Sequence, residues 1–217
     1  MSIKVFLADD HTIVRNGIRL LLEMEDDIKV IGEAGSGREV VAKIRKLCPD
    51  VVVMDIEMPG LNGIDAIEKV LELCPSSVVV VLSMHSTSEH ILRALKAGAK
   101  GYIVKESAGK ELIYSIRAVT AGRRYLSQAV MENLIDISLD KKALSHPKAS
   151  LEKLSLRERE ILQLVVEGKT SAEIARMLFI SQKTVETYRS RMMRKLDISD
   201  IPSLVKFALR HGLTSFE

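Results

Sequence analysis

Five short apolar runs punctuate the first half of the chain: Ile3–Ala8, Ile28–Ala34, Val51–Met54, Val78–Leu82 and Gly101–Val104. They are rich in β-branched residues and nearly continuous in apolar character. Strands covered on both faces of a parallel sheet have this pattern. Between and after them, apolar positions recur at helical spacing over about Ile13–Met24, Gly37–Lys46, Gly63–Leu73, Ser88–Ala97 and Gly109–Ala121. Strict alternation of strand and helix predicts a doubly wound α/β fold, a five-stranded parallel sheet with right-handed crossovers. A short repeat, KLCPDVVVM and ELCPSSVVVV, marks the same helix-to-strand joint used twice.

From about Tyr125 the pattern changes. LSQAVMENLIDI has helical character, and LDKKALSHPKAS (Leu139–Ser150) is polar with no strong periodicity, as an interdomain linker would be. From Leu151 onward everything is helical. Ser155–Glu158 and Thr170–Glu173 have capping-box spacing and open helices at Arg157–Glu167 and Ser171–Leu178. Ser181 caps a third helix, Gln182–Leu196, and Pro202 sits in the first turn of a fourth, about Pro202–His211. Only Phe179, Ile180 and Ser181 separate the second and third, a helix-turn-helix spacing. The expected organisation is an α/β domain over 1–122, a helical or flexible linker over 123–150 and a small all-α domain over 151–217.

Composition narrows the class. The chain has 217 residues, 47% hydrophobic and 28% charged, which suits globular protein and not disorder. No apolar run approaches the ~20 residues of a membrane span, and MSIKVFLADD lacks a signal-peptide core. A cytoplasmic protein is expected. Cys48 and Cys74 each sit in a Leu-Cys-Pro and are expected to be two thiols in a reducing compartment. The formal charge of +3 is unevenly spread: residues 1–150 hold 20 basic and 20 acidic side chains, and residues 151–217 hold 12 and 9. The excess lies in the helical tail and points to an anionic partner there.

Strand ends locate the chemistry. Ligands of an open α/β sheet sit beyond the carboxyl ends of its strands, at the topological switch point. In a 2-1-3-4-5 strand order, Asp9 and Asp10 after strand one, Asp55 after strand three, Ser83 after strand four and Lys105 after strand five converge there. Carboxylates so close repel one another unless a hard cation sits among them. Mg2+ suits this set, with Asp10 and Asp55 as direct ligands, Asp9 direct or through water, and the Glu57 carbonyl as a further candidate. Asp55 would be a nucleophile forming an acyl phosphate. Lys105 and Ser83 would hold the other phosphoryl oxygens, in a reaction that is mostly positioning and charge neutralisation.

On Gln182–Leu196, Val185, Met192 and Leu196 mark an apolar side, and Lys183, Glu186, Thr187, Ser190 and Arg194 share another face. A recognition helix presents such a face to the major groove of double-stranded DNA. Arg189, Arg191 and Lys195 would flank it and touch phosphates.

FLADDH, VVVMDIEMPGLNGI, VLSMH and GAKGYIVK resemble the motifs of bacterial response-regulator receiver domains, over residues 1–122. The resemblance implies phosphorylation of Asp55 by a partner sensor histidine kinase. It also implies a turn built on Pro59 and Gly63, and a switch pair, Ser83 and Tyr102, that rearranges on phosphorylation. Residues 154–196, LSLREREILQLVVEGKTSAEIARMLFISQKTVETYRSRMMRKL, resemble the LuxR-type helix-turn-helix, and the whole chain is similar to the NarL/FixJ subfamily. This implies promoter binding and transcription regulation, with base reading at Glu186, Thr187 and Ser190 and backbone contacts near Lys183 and Thr184. Homodimers are implied on DNA, the last helix having an apolar stripe that either closes the core or serves the dimer. Tyr188 departs from the His that the family often has.

Two other readings compete. A Mg2+-dependent phosphatase with an Asp nucleophile usually has Asp-x-Asp after the first strand and a later acidic pair; here Asp9 and Asp10 are adjacent and nothing acidic follows strand four. A receiver-like scaffold that is never phosphorylated would be expected to lose one of the five pocket residues, and all are present. A phosphoacceptor regulator with only self-catalysed phosphoryl chemistry is therefore expected. His11 and His85 match no metal-ligand spacing and are expected to be surface or loop residues.

Overall fold

The computed structural model describes residues 2–139, 151–211 and 213. Contacts divide the chain into residues 1–144 and residues 145–217. The polar stretch 140–150, expected to be a linker, lies outside the described residues.

The first unit is a parallel sheet flanked by helices. In chain order it contains β1 (Ile3–Ala8), α1 (Thr12–Glu23), β2 (Ile28–Ala34), α2 (Gly37–Leu47), β3 (Val51–Met54), α3 (Gly63–Leu73), β4 (Val78–Ser83), α4 (Ser88–Lys96), β5 (Gly101–Val104) and α5 (Ala108–Thr120). Then follow β6 (Tyr125–Leu126) and α6 (Gln128–Leu139). The sheet order is β2-β1-β3-β4-β5-β6, all parallel. The expected five-stranded order is present, and β6 extends it by a sixth strand. Two residues are too short a run to carry an alternation, so the pattern alone does not reveal β6.

Period two explains the continuous apolar runs, because successive side chains enter opposite cores. Phe6, Val52, Met54, Val79, Val81 and Tyr102 pack with α2, α3 and α4 through Val40, Ile44, Ile67 and Ile91. Val5, Leu7, Val51, Val53, Val80 and Leu82 pack with α1 and α5 through Ile18, Leu22, Leu112 and Ile116. α6 joins the first of these cores by burying Val130. Its Asn133 side-chain amide donates to the Ser86 carbonyl in the β4–α4 loop, at 2.9 Å. The Ser127 amide donates to the carbonyl of Tyr102, at 3.0 Å. Residues 125–135 thus extend the fold of the first unit.

The cysteines require a correction. The structure joins Cys48 and Cys74 in a disulfide, Cα to Cα 5.6 Å, where two free thiols were expected. The two Leu-Cys-Pro joints close α2 and α3, and these helices end side by side. That adjacency is a tertiary fact with no local sequence signal.

The second unit consists of α7 (Leu156–Val166), α8 (Ser171–Leu178), α9 (Gln182–Leu196) and α10 (Ile201–Arg210). Both capping boxes form, Ser155 with Glu158 and Thr170 with Glu173. Ser181 accepts from the Thr184 amide and Asp200 from the Ser203 amide. Phe179, left-handed at φ 54°, turns the chain between α8 and α9. Leu162, Ile174, Leu178, Val185, Met192, Leu196, Leu204 and Ala208 form the core. Leu204 and Ala208 show that the α10 stripe closes this core, while Val205 and Leu209 stay half-buried. No helix among the described residues is long and apolar enough to cross a membrane.

Candidate functional site

β1 and β3 lie side by side, so the residues that leave their ends are neighbours. The Asp55 amide still donates to the Ala8 carbonyl at 2.8 Å, and the Asp9 amide to the Ala34 carbonyl at 3.1 Å. These last rungs fix both aspartates at the switch point. Asp9 and Asp55 are each 3% exposed. The Lys105 ammonium, arriving from the end of β5, bridges Asp55 Oδ2 at 2.7 Å and Asp9 Oδ2 at 2.8 Å. The Glu57 amide donates to Asp55 Oδ1 at 3.3 Å. Gly63 lets the next helix start against this strand end: a Cβ there would stand 1.8 Å from the Asp55 carbonyl oxygen.

Burial raises the Asp55 carboxyl to about 6, against the pull of Lys105. It is therefore still mostly ionised at neutral pH. Burial alone would lower the Lys105 ammonium, but Asp55 and Asp9 hold it above its ordinary value. One lysine offsets one of three carboxylates, and the remaining two charges match a divalent cation. Asp9, Asp10, His11 and Asp55 each offer a ligand atom, all within 4.8 Å of one another. The carboxylate oxygens among them are the donors that a hard cation such as Mg2+ takes, so the residues fit that ion.

Ser83 and Tyr102, both fully buried, meet at one residue. The His85 amide donates to Ser83 Oγ at 3.0 Å, and the Tyr102 hydroxyl donates to the His85 carbonyl at 2.6 Å. Burial pushes the Tyr102 phenol up, so it remains a donor. The His85 ring contacts the Glu57 carboxylate at 2.9 Å and stacks on His90 with centroids 5.0 Å apart.

On α9, Lys183, Glu186, Thr187, Ser190, Arg191 and Arg194 line one open concavity. All six are exposed. Thr184 is half-buried, with its hydroxyl 2.7 Å from that of Ser181. Arg189 and Lys195 are engaged inward: Arg189 donates to Ser171 Oγ of α8 at 2.9 Å, and Lys195 pairs with Glu158 of α7 at 2.6 Å.

With this geometry in view, the comparisons with known proteins decide the family. Residues 5–117 match the response regulator receiver domain, and residues 152–208 match the luxR family of bacterial regulatory proteins. The chain is a LuxR-type response regulator of the NarL/FixJ subfamily. It is 36% identical to the response regulator UvrY of Escherichia coli K12, over 99% of this chain and 97% of UvrY. It superposes on RcsB of Salmonella enterica serovar Typhimurium bound to a promoter in the presence of phosphomimetic BeF3-, with TM-score 0.61 and 29% identity, covering 95% of this chain and 98% of RcsB. A second RcsB structure, of two dimers bound to two parallel DNAs, matches with TM-score 0.62 and 28% identity, covering 97% of this chain and 99% of that one.

The structure adds contacts at five of these residues that the sequence alone did not give. His11 and His85 are loop residues, as expected, and both also reach the pocket: the His11 ring lies 2.8 Å from Asp10 and the His85 ring contacts Glu57. Their position one and two residues past strand-end motif residues is the signal that could have found them. Tyr188, where the family often has His, packs against the core of the second unit. Lys195 and Arg189 each also tie α9 to a neighbouring helix.

Proposed function

We propose that this response regulator is a phosphorylation-controlled transcription factor, with 1–122 as phosphoacceptor domain, 123–150 as a connection whose first part packs on that domain, and 151–217 as DNA-binding domain. Asp55 accepts a phosphoryl group from the phosphohistidine of a sensor kinase. An Asp55 carboxylate oxygen bonds to phosphorus as the phosphorus–nitrogen bond breaks, and the imidazole leaves. Asp9, Asp10, Asp55 and the Glu57 carbonyl would hold Mg2+, which when bound neutralises charge on the transferring group. Lys105 pairs with the phosphoryl oxygens after releasing Asp55. The observation that carries this reading is the buried Asp55 held by Lys105 beside two further carboxylates.

Ser83 then turns toward the phosphoryl group, and Tyr102 and the His85 loop follow, because all three are bonded together. The altered surface favours a homodimer, as suits a protein similar to dimeric RcsB, and the dimer binds promoter DNA. Glu186, Thr187 and Ser190 face base edges, with Lys183, Thr184, Arg191 and Arg194 on phosphates and Arg189 and Lys195 at the margin. The protein works in the cytoplasm, and its only chemistry is its own phosphorylation and dephosphorylation.

The test is direct. With Mg2+ and phosphoramidate, the intact chain gains one acid-labile phosphoryl group on the peptide containing Asp55, read by mass spectrometry after borohydride trapping. Asp55→Asn gains none. Equal labelling of Asp55→Asn would refute the assignment.

A further inference from the structure

We propose that Arg15 is a positioning residue for the cation site, acting through the peptide bond that joins Asp9 to Asp10. This rests on the reading of the acidic cluster as the Mg2+ site of the phosphoacceptor pocket. At the end of β1 the sheet ladder runs out. The Asp9 amide still finds the Ala34 carbonyl, and Asp55 takes the carbonyl of Ala8. The carbonyl of Asp9 is the next acceptor along, past the last rung. A backbone carbonyl in a mostly buried position needs a donor, and its direction sets the orientation of the following peptide.

Arg15 supplies that donor from the first turns of α1, with Nη1 2.6 Å from the Asp9 oxygen. The guanidinium is itself held. Its Nε donates to Glu33 Oε2 at 3.1 Å, and the second Glu33 oxygen is taken by Arg19 at 2.9 Å. Glu33 precedes Ala34, the residue that receives the Asp9 amide. The brace therefore closes on itself: β2 holds the amide of Asp9 directly and its carbonyl through Glu33 and Arg15. The peptide so clamped links the two candidate ligands of β1. The Arg15 side chain is only 16% exposed, which makes its geometry hard to replace by solvent.

Its charge is balanced within a network of two arginines, Arg15 and Arg19, and two glutamates, Glu23 and Glu33, so its part is the fixed two-point fork, which a lysine does not reproduce. Groups that orient metal ligands commonly change metal affinity tenfold or more when removed. The full chain is titrated with Mg2+ by calorimetry, and separately its phosphorylation by phosphoramidate is followed against Mg2+ concentration. Arg15→Ala and Arg15→Lys should both weaken Mg2+ binding about tenfold, with the rate at saturating Mg2+ near that of the wild type. Arg19→Ala, which touches Glu33 but not Asp9, should stay within about twofold.

Wild-type affinity in a folded Arg15→Ala, or its full restoration by Arg15→Lys, would overturn the inference and leave the pocket reading intact. A parallel loss in Arg19→Ala would show a general packing role and overturn it equally. Failure of the wild type to bind Mg2+ would remove the pocket reading and this inference together.

Discussion

The two units place their acting groups in opposite surroundings. In the first, Asp9, Asp55 and Ser83 are buried, and Lys105 is nearly so, at the end of a sheet whose last backbone rungs hold the aspartates. In the second, Lys183, Glu186, Thr187, Ser190, Arg191 and Arg194 all stand exposed on one helix face. Charges in a low-dielectric site couple strongly and change state together, whereas exposed charges are screened and act almost independently. A pocket of the first kind suits a switch driven by one covalent event. A face of the second kind suits a partner that is itself a long row of charges.

This contrast can be broken most severely at Gly63. A Cβ there would overlap the carbonyl oxygen of Asp55, so α3 and the aspartate compete for the same space. Gly63→Ala should cost more than about 3 kcal/mol, read as a lowered urea midpoint. An unaffected midpoint would mean that the strand end is not rigid.

His90 should make the first unit acid-sensitive. In the unfolded chain it titrates near 6.5, and burial foremost holds it down to about 4 in the fold. Above 6.5 it is neutral in both states and contributes nothing. Between 6.5 and 4 only the unfolded chain gains the proton, so stability falls as pH falls, by up to about 3 kcal/mol. Unfolding of His90→Gln across this window should show a correspondingly flatter pH profile.

Lys195 tests the ion pair that an exposed lysine makes with the buried Glu158 carboxylate in the second unit. Burial would raise the Glu158 carboxyl, but Lys195 and both donors of Ser155 outweigh it and hold it low. Lys195→Ala should cost about 0.5–1 kcal/mol in thermal unfolding of that unit at pH 7, since solvent screens its half-exposed side chain. The loss should disappear once Glu158 is protonated in acid.

The smallest effects belong to the exposed face. Lys183→Ala and Arg194→Ala should each reduce the slope of log affinity for DNA against log salt by about 0.9, with no change in unfolding. A slope unchanged in both variants would take this face off the DNA.

Much of this was legible before folding. Short continuous apolar runs and helical spacing identify the strands of the main sheet and every main helix, because both units are built from elements whose local preferences agree with the fold. Ser155, Thr170 and Ser181 announce helix starts, and each forms its cap. The pocket could be assembled from strand ends, since chain direction alone places Asp9, Asp55, Ser83 and Lys105 at one edge. What escaped depends on neighbours distant in sequence. The Cys48–Cys74 bond needs two helix ends to be adjacent, and β6 needs β5 beside it as a template. The inward ties of Arg189 and Lys195 need the faces of α7 and α8. Arg15 reads as an ordinary helix residue until the carbonyl past the last rung of β1 is seen.

The central claim is that events at Asp55 govern DNA binding by α9. It is tested by titrating a promoter-derived DNA pool with wild type and Asp55→Asn, each with Mg2+ and with or without phosphoramidate. The account predicts that the phosphoryl donor tightens wild-type binding and leaves Asp55→Asn unchanged. Equal binding by both proteins under all conditions, with wild-type phosphorylation verified in the same samples, would contradict it.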